Sequence, residues 1–245
     1  MSHNDSVSHD ESSEQRVLGP RRIYTSGMSR AAAVRESAET PLTRALRGAG
    51  PAHRCTPVDA FQSALQWFLD GRRLDMRQLA AELGVGRATL YRWCGTRELL
   101  LGEIISSIQE QALGAAWARS RGTGAERLVA TLARLMRQVR AYEPLQRFVA
   151  EDAEYALRVL TSKHSIVQRR LIDWIAQVLS DEGDLEPSVD VADLAYAIVR
   201  ICESFVWSDM ITGAAPETDK GARMVGLLVS AAERGGPADL QRGLP

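Results

Sequence analysis

Residues 76–95, MRQLAAELGVGRATLYRWCG, constrain the fold more tightly than any other stretch of the chain. Leu79, Leu83, Val85, Leu90 and Trp93 recur at spacings that suit two short helices sharing one apolar interior. Helices that cross at a sharp angle need a small residue at the crossing, and Ala80 supplies it. The turn between them needs a residue tolerant of positive φ, and Gly84 supplies that. Asp75 is placed to cap the first helix, with Gln78 three residues on, and the second must start near Gly86 and run to about Cys94. Thr96 then caps a further helix carrying Leu99, Leu100, Glu103, Ile104 and Ile108. Upstream, Thr56-Pro57-Val58-Asp59 reads as N-cap, first-turn proline and N3 acid. Val58, Phe61, Leu65, Phe68 and Leu69 follow at helical spacing until Gly71.

Every segment beyond Gly124 keeps the helical period. Leu128, Leu132, Leu135, Met136 and Val139 form one stripe, closed by Glu143-Pro144. Shorter pieces fit residues 145–150 and 153–160. Val167, Leu171, Trp174, Ile175 and Val178 form another stripe. Residues 188–212 read as the longest helix, about 37 Å at 1.5 Å per residue, and a last helix spans about 218–233. No alternating β pattern and no repeat occurs, so the fold class is all-α.

The outward face of the second helix in the 76–95 segment carries Arg87, Ala88, Thr89, Tyr91 and Arg92, with Arg97 at the start of the next helix. No acid lies between Glu82 and Glu98, which leaves a cationic window in a chain of net charge −1. A helix N-terminus at Thr96-Arg97 adds unpaired N–H groups and partial positive charge, suited to phosphate. This is the layout of a helix-turn-helix that enters a DNA major groove. The plain alternative is a helical corner with solvated arginines; the matched spacing together with the aromatic-basic face favours DNA.

Leu79-Ala80-Ala81-Glu82-Leu83-Gly84-Val85, Thr89-Leu90-Tyr91-Arg92-Trp93 and Arg97-Glu98-Leu99-Leu100 resemble the N-terminal domain of TetR-family regulators over about residues 56–104. The resemblance implies phosphate contacts from Thr89, Tyr91 and Arg97, and base-edge positions for Arg87, Ala88 and Arg92, with Trp93 completing the DNA-binding set. Gly86 stands where a serine cap is usual, and Cys94 where phenylalanine is common. The resemblance further implies a C-terminal body that binds a small molecule and dimerises through its last two long helices. Residues 188–212 and 218–233 are apolar on more than one side, more than a single core face requires. Glu154-Tyr155-Ala156-Leu157-Arg158-Val159-Leu160-Thr161 and Ser208-Asp209-Met210-Ile211-Thr212-Gly213 resemble, less specifically, the actinobacterial quorum-signal-degradation group. That points to a lactone or fatty-acyl effector.

Residues 1–54 read as an arm, −4 over the first fourteen residues (Asp5, Asp10, Glu11, Glu14). From Arg16 to Arg54, eight arginines oppose Glu36 and Glu39, a net +6. The arm is either a solvated tail or a basic strap on DNA; within it, Thr40 as cap and Pro41 at the first position fit a short helix to Arg47. The remaining boundaries fall at 55–103 for the head, 104–235 for the ligand-binding and dimerisation bundle, and 236–245 for a flexible tail. Candidate pocket aromatics are Trp117, Tyr142, Phe148, Trp174, Phe205 and Trp207, each weighed against plain core packing. Cys55, Cys94 and Cys202 lie outside any CxxC pair, and Cys202 is either a redox sensor or a buried inert thiol. No apolar run approaches bilayer length, and the polar N-terminus lacks an apolar signal core, which makes the cytoplasm the expected compartment. No HExxH, paired-cysteine or Walker pattern occurs, and Asp152 with Glu154 reads as a solvated pair; neither catalytic residue, metal nor cofactor is expected. The sequence therefore points to a homodimeric, effector-responsive regulator, probed against the alternative of a small-molecule-binding helical protein without specific operator binding.

Overall fold

The helix-start signals at Thr56, Asp75 and Thr96 act where the sequence puts them. The computed structural model describes residues 40–46, 55–162, 164–182 and 189–233, all within one unit, Ala38–Pro245. The arm residues 1–39 and 47–54 and the tail 236–245 lie outside the described residues. Helix α1 spans Pro41–Leu46, with the Thr43 amide donating to Thr40 Oγ1. Helix α2 (Pro57–Leu69) opens on a complete capping box: the Asp59 amide donates to Thr56 Oγ1 at 3.2 Å, and the Thr56 amide donates to Asp59 Oδ2 at 2.7 Å. Helix α3 (Met76–Glu82) is capped by Asp75 Oδ1, which accepts from the Arg77 and Gln78 amides. Those two bonds hold the Asp75 carboxyl below its ordinary range, because both are made to its charged form.

Helix α4 (Arg87–Cys94) follows after a turn closed by Val85 N–H to Ala80 C=O and Gly84 N–H to Ala81 C=O. That pair of bonds is a Schellman cap, and it requires the φ of +65° that Gly84 adopts. Helix α5 (Arg97–Arg119) is the longest of the described helices, at 23 residues. It passes without a break through the boundary expected at 103/104, so head and body share a helix. The body continues with α6 (Gly124–Ala141), α7 (Glu143–Glu151), α8 (Ala153–Thr161), α9 (Ile166–Glu182), α10 (Val191–Val206), α11 (Ser208–Ile211) and α12 (Thr218–Glu233). Helix α10 packs between α9 and α12, and α6 packs against α5, α9 and α12. The described residues contain no strand.

Two expectations change. The helix expected over 188–212 starts at Val191 on an Asp190 cap and breaks at Trp207, whose backbone leaves the helical region at φ −110°, ψ 21°. The break is supported from outside: Arg140 Nη1 donates to the Val206 carbonyl at 3.3 Å, and Arg140 Nη2 pairs with Asp209 at 2.9 Å. An orphan carbonyl is thereby satisfied, and the buried indole of Trp207 turns inward. Secondly, α1 packs on α2 and α4 with Leu42 fully buried, which puts Leu42 in the head's core although it lies in the stretch read as arm.

Candidate nucleic-acid interface and effector cavity

Helix α4 divides cleanly into two faces. Leu90, Trp93 and Cys94 are buried, whereas Arg87, Ala88, Tyr91 and Arg92 are exposed and Thr89 is half-buried. Tyr91 is the large apolar exception on this surface, 49% exposed. Among the described residues, neither Arg87 nor Arg92 enters an ion pair, so both charges face solvent. Trp93 belongs with Leu90 on the inner face and is taken up by the head's core, so it does not share that exposed surface. Gly86 caps α4 without a side-chain bond, leaving its first amides open to an anion.

The junction from α4 into α5 is tight. Gly95 adopts φ +71°, and a Cβ there would sit 2.6 Å from Leu99 Cδ1 and 3.3 Å from Thr40 Cγ2. Arg97, the first residue of α5, is half-buried, with its guanidinium 4.6 Å from the ring centre of Tyr155 on α8. Burial raises the Tyr155 phenol to about 12, so the ring stays neutral under this cation. Arg97 is thus turned toward the body, unlike Arg87 and Arg92. Helix α5 is also fixed by Glu103, 3% exposed, which accepts from Arg170 Nη2 of α9 at 2.7 Å and from Thr43 Oγ1 of α1 at 3.2 Å.

A cavity of about 650 Å³ lies below the head, lined from α2, α5, α6, α7, α8, α9 and α10. Its walls are mostly aliphatic, with Phe68, Ile105, Ile108, Met136 and Leu171 among them. The size and lining suit a small organic ligand. Of the six aromatics proposed from sequence, Tyr142 and Trp207 reach the wall. The other four do not. Trp117 and Trp174 pack edge to face at 5.5 Å, with Arg127 over Trp117 at 3.9 Å. Phe148 sits between Phe68 and Tyr155, at 6.0 and 6.1 Å. Phe205 lies against Gly221 at the α10–α12 contact. In each case a neighbouring helix takes the ring before it can face the cavity.

Polar residues supply what the aromatic reading missed. Gln168 Nε2 donates to both oxygens of Glu203, at 3.0 and 3.1 Å, and to the Thr161 carbonyl at 3.2 Å. Arg200 Nη1 reaches Glu203 from outside at 2.7 Å. Burial raises the Glu203 carboxyl to about 7, with Gln168 and Arg200 opposing the shift. The available signal was a polar residue inside an apolar stripe: Gln168 precedes Leu171 and Ile175, and Glu203 lies between Val199 and Val206. Cys202, also in the wall, is buried and its thiol is raised to about 12, which leaves negligible thiolate and fits the inert reading. Among the described residues, no group of three or more His, Cys, Asp or Glu side chains could hold a metal ion, and no helix is long and apolar enough to cross a membrane.

Comparison with known proteins converges on this architecture. Residues 123–230 match the model of a tetracyclin repressor-like C-terminal domain. No curated protein matches the chain. Among solved structures, the transcriptional repressor QsdR of R. erythropolis, from the TetR family, superposes with a TM-score of 0.67 at 27% identity, covering 71% of this chain and 94% of that one. The TetR-family repressor AlkX of Dietzia sp. strain DQ12-45-1b, implicated in biodegradation of n-alkanes, gives a TM-score of 0.52 at 20% identity. That match covers 75% of this chain and 98% of AlkX, and shares the fold. With a matched C-terminal domain over residues 123–230 and this all-helical architecture, the chain has the fold of the TetR-family regulators.

Proposed function

We infer that the protein is an effector-responsive transcription repressor that binds a palindromic operator as a homodimer and is released by a small apolar or lactone-like molecule. The observation that carries the reading is the division of α4, with Leu90, Trp93 and Cys94 inward and Arg87, Ala88, Tyr91 and Arg92 outward. In such a head Arg87, Ala88 and Arg92 approach base edges, while Thr89 and Tyr91 contact phosphates. Arg97 reaches phosphate only by leaving the Tyr155 ring, so its contact is coupled to the body. The dimer is supported by exposed apolar side chains on the last long helices: Tyr196 on α10, and Met224 and Leu227 on α12. A two-fold pairing through them presents two heads to two half-sites.

Release follows from the shared helix. Ile105, Ile108 and Gln109 of α5 line the cavity, and the same helix begins one residue after the Thr96 cap that follows α4. A ligand that fits better when α5 is displaced shifts the population toward a head spacing that no longer matches the operator. The test is titration of the purified protein onto its own upstream intergenic DNA over a range of salt. A protected palindrome with a steep salt slope is expected. Weak, sequence-indifferent binding would overturn the reading and leave a small-molecule-binding helical protein without operator specificity.

A further inference from the structure

The cavity wall has a charge pattern of its own, and it bears on what the cavity accepts. None of its lining residues is Arg, Lys or His, and its one acid is Glu203. Resting on the reading of this cavity as the effector site, we propose that the effector is a neutral amphiphile. Its uncharged head group donates a hydrogen bond at the Gln168–Glu203 corner, so a lactone-like molecule fits only if it also carries an amide or hydroxyl donor; its body is aliphatic, and carboxylates are rejected.

Three observations carry this. First, the corner offers acceptors. Gln168 spends both of its Nε2 hydrogens on Thr161 and Glu203, so its amide has only carbonyl oxygen left to offer. Glu203 Oε1, which accepts from Gln168, keeps a lone pair to offer, whereas Oε2 is already engaged by Gln168 and Arg200. A head group that can donate is therefore matched, and one that can only accept is not. Secondly, a carboxylate entering the cavity meets no cation in the wall and one acid, so its desolvation is uncompensated. Thirdly, an ammonium head gains little, because Arg200 already neutralises Glu203 at 2.7 Å from the solvent side. The Glu203 side chain is 12% exposed against 46% for Arg200, which leaves the pair's charge balanced before any ligand arrives.

The test uses the full-length protein at pH 8, where Glu203 is ionised, and four ligands of equal chain length: decanamide, methyl decanoate, decanoate and decylamine. Binding is read by calorimetry and by quenching of tryptophan emission, since Trp207 lines the cavity. Decanamide is expected to bind about tenfold more tightly than methyl decanoate, which lacks a donor. It should bind at least about 100-fold more tightly than decanoate and more tightly than decylamine. Glu203→Gln should narrow the amide-to-carboxylate ratio by about tenfold or more; the wild-type ratios stand as a test even if that variant folds poorly. Decanoate binding as tightly as decanamide overturns the inference and leaves the cavity as an effector site. Failure of all four ligands in a protein that still binds its DNA overturns the cavity assignment, and the inference with it.

Discussion

Replacing Arg170 by Met isolates the one buried carboxylate that ties three parts of the molecule together. Glu103 on α5 has a side chain only 4% exposed, and it holds Arg170 of α9 at 2.7 Å and the Thr43 hydroxyl of α1 at 3.2 Å. In Arg170→Met the methionine keeps most of the aliphatic contact, and Glu103 is left with one neutral donor. Stranding a buried charge costs about 3–5 kcal/mol in fully buried pairs. The Arg170 side chain is 32% exposed and also reaches Glu110 at 3.3 Å, so water can approach the vacated position. That discounts the loss to about 2–3 kcal/mol. For a domain of this size the melting temperature should fall by roughly 4–12 °C. The assay is chemical and thermal unfolding at fixed protomer concentration, since association would otherwise move the midpoint. Adding Glu103→Leu removes the stranded charge and should restore stability to within about 1 kcal/mol of wild type. A loss below about 0.5 kcal/mol for Arg170→Met, or a double variant no more stable than the single one, would refute the reasoning.

Other outcomes follow from the same geometry. Glu203 titrates near 7 in the folded chain against 4.5 unexposed to the fold, so the folded state binds the extra proton between those values. Wild-type stability should therefore decline relative to Glu203→Gln as pH rises from about 4.5 to about 7 and run parallel above it, as paired unfolding curves will show. Tyr91→Ala should weaken binding to specific and random DNA alike, while Arg87→Ala should also relax sequence preference; equal losses on both DNAs for both variants would contradict that division. Gly95→Ala forces a side chain into φ +71° and against Leu99, so it should lower stability by about 1–2 kcal/mol and reduce operator affinity through the α4–α5 junction.

The head was legible because its determinants are local. Thr56, Asp75 and Thr96 cap amides two or three residues away, Gly84 serves a turn closed within six residues, and the Leu79–Leu90–Trp93 spacing fixes an inner face. Such signals act within one or two helical turns, so periodicity and cap chemistry suffice to place them. Helices α6 to α9 and α12 were read for the same reason.

What a residue on a helix meets across the bundle was decided only in three dimensions. Trp117, Phe148, Trp174 and Phe205 share helical periodicity with Tyr142 and Trp207, yet rotation and packing of neighbouring helices send only the latter two to the cavity. The break at Trp207 depends on Arg140, 66 residues earlier than the carbonyl it caps. Likewise Leu42 joins the core, and Thr43, Glu103 and Arg170 meet from separations of 60 and 67 residues. The all-helical class, the helix-turn-helix and its outward basic face could be read from residue order alone, since each rests on contacts within a few residues. The cavity, its Gln168–Glu203 corner and the link from α1 through α5 to α9 required the tertiary structure, because their energies arise between side chains that chain order keeps far apart.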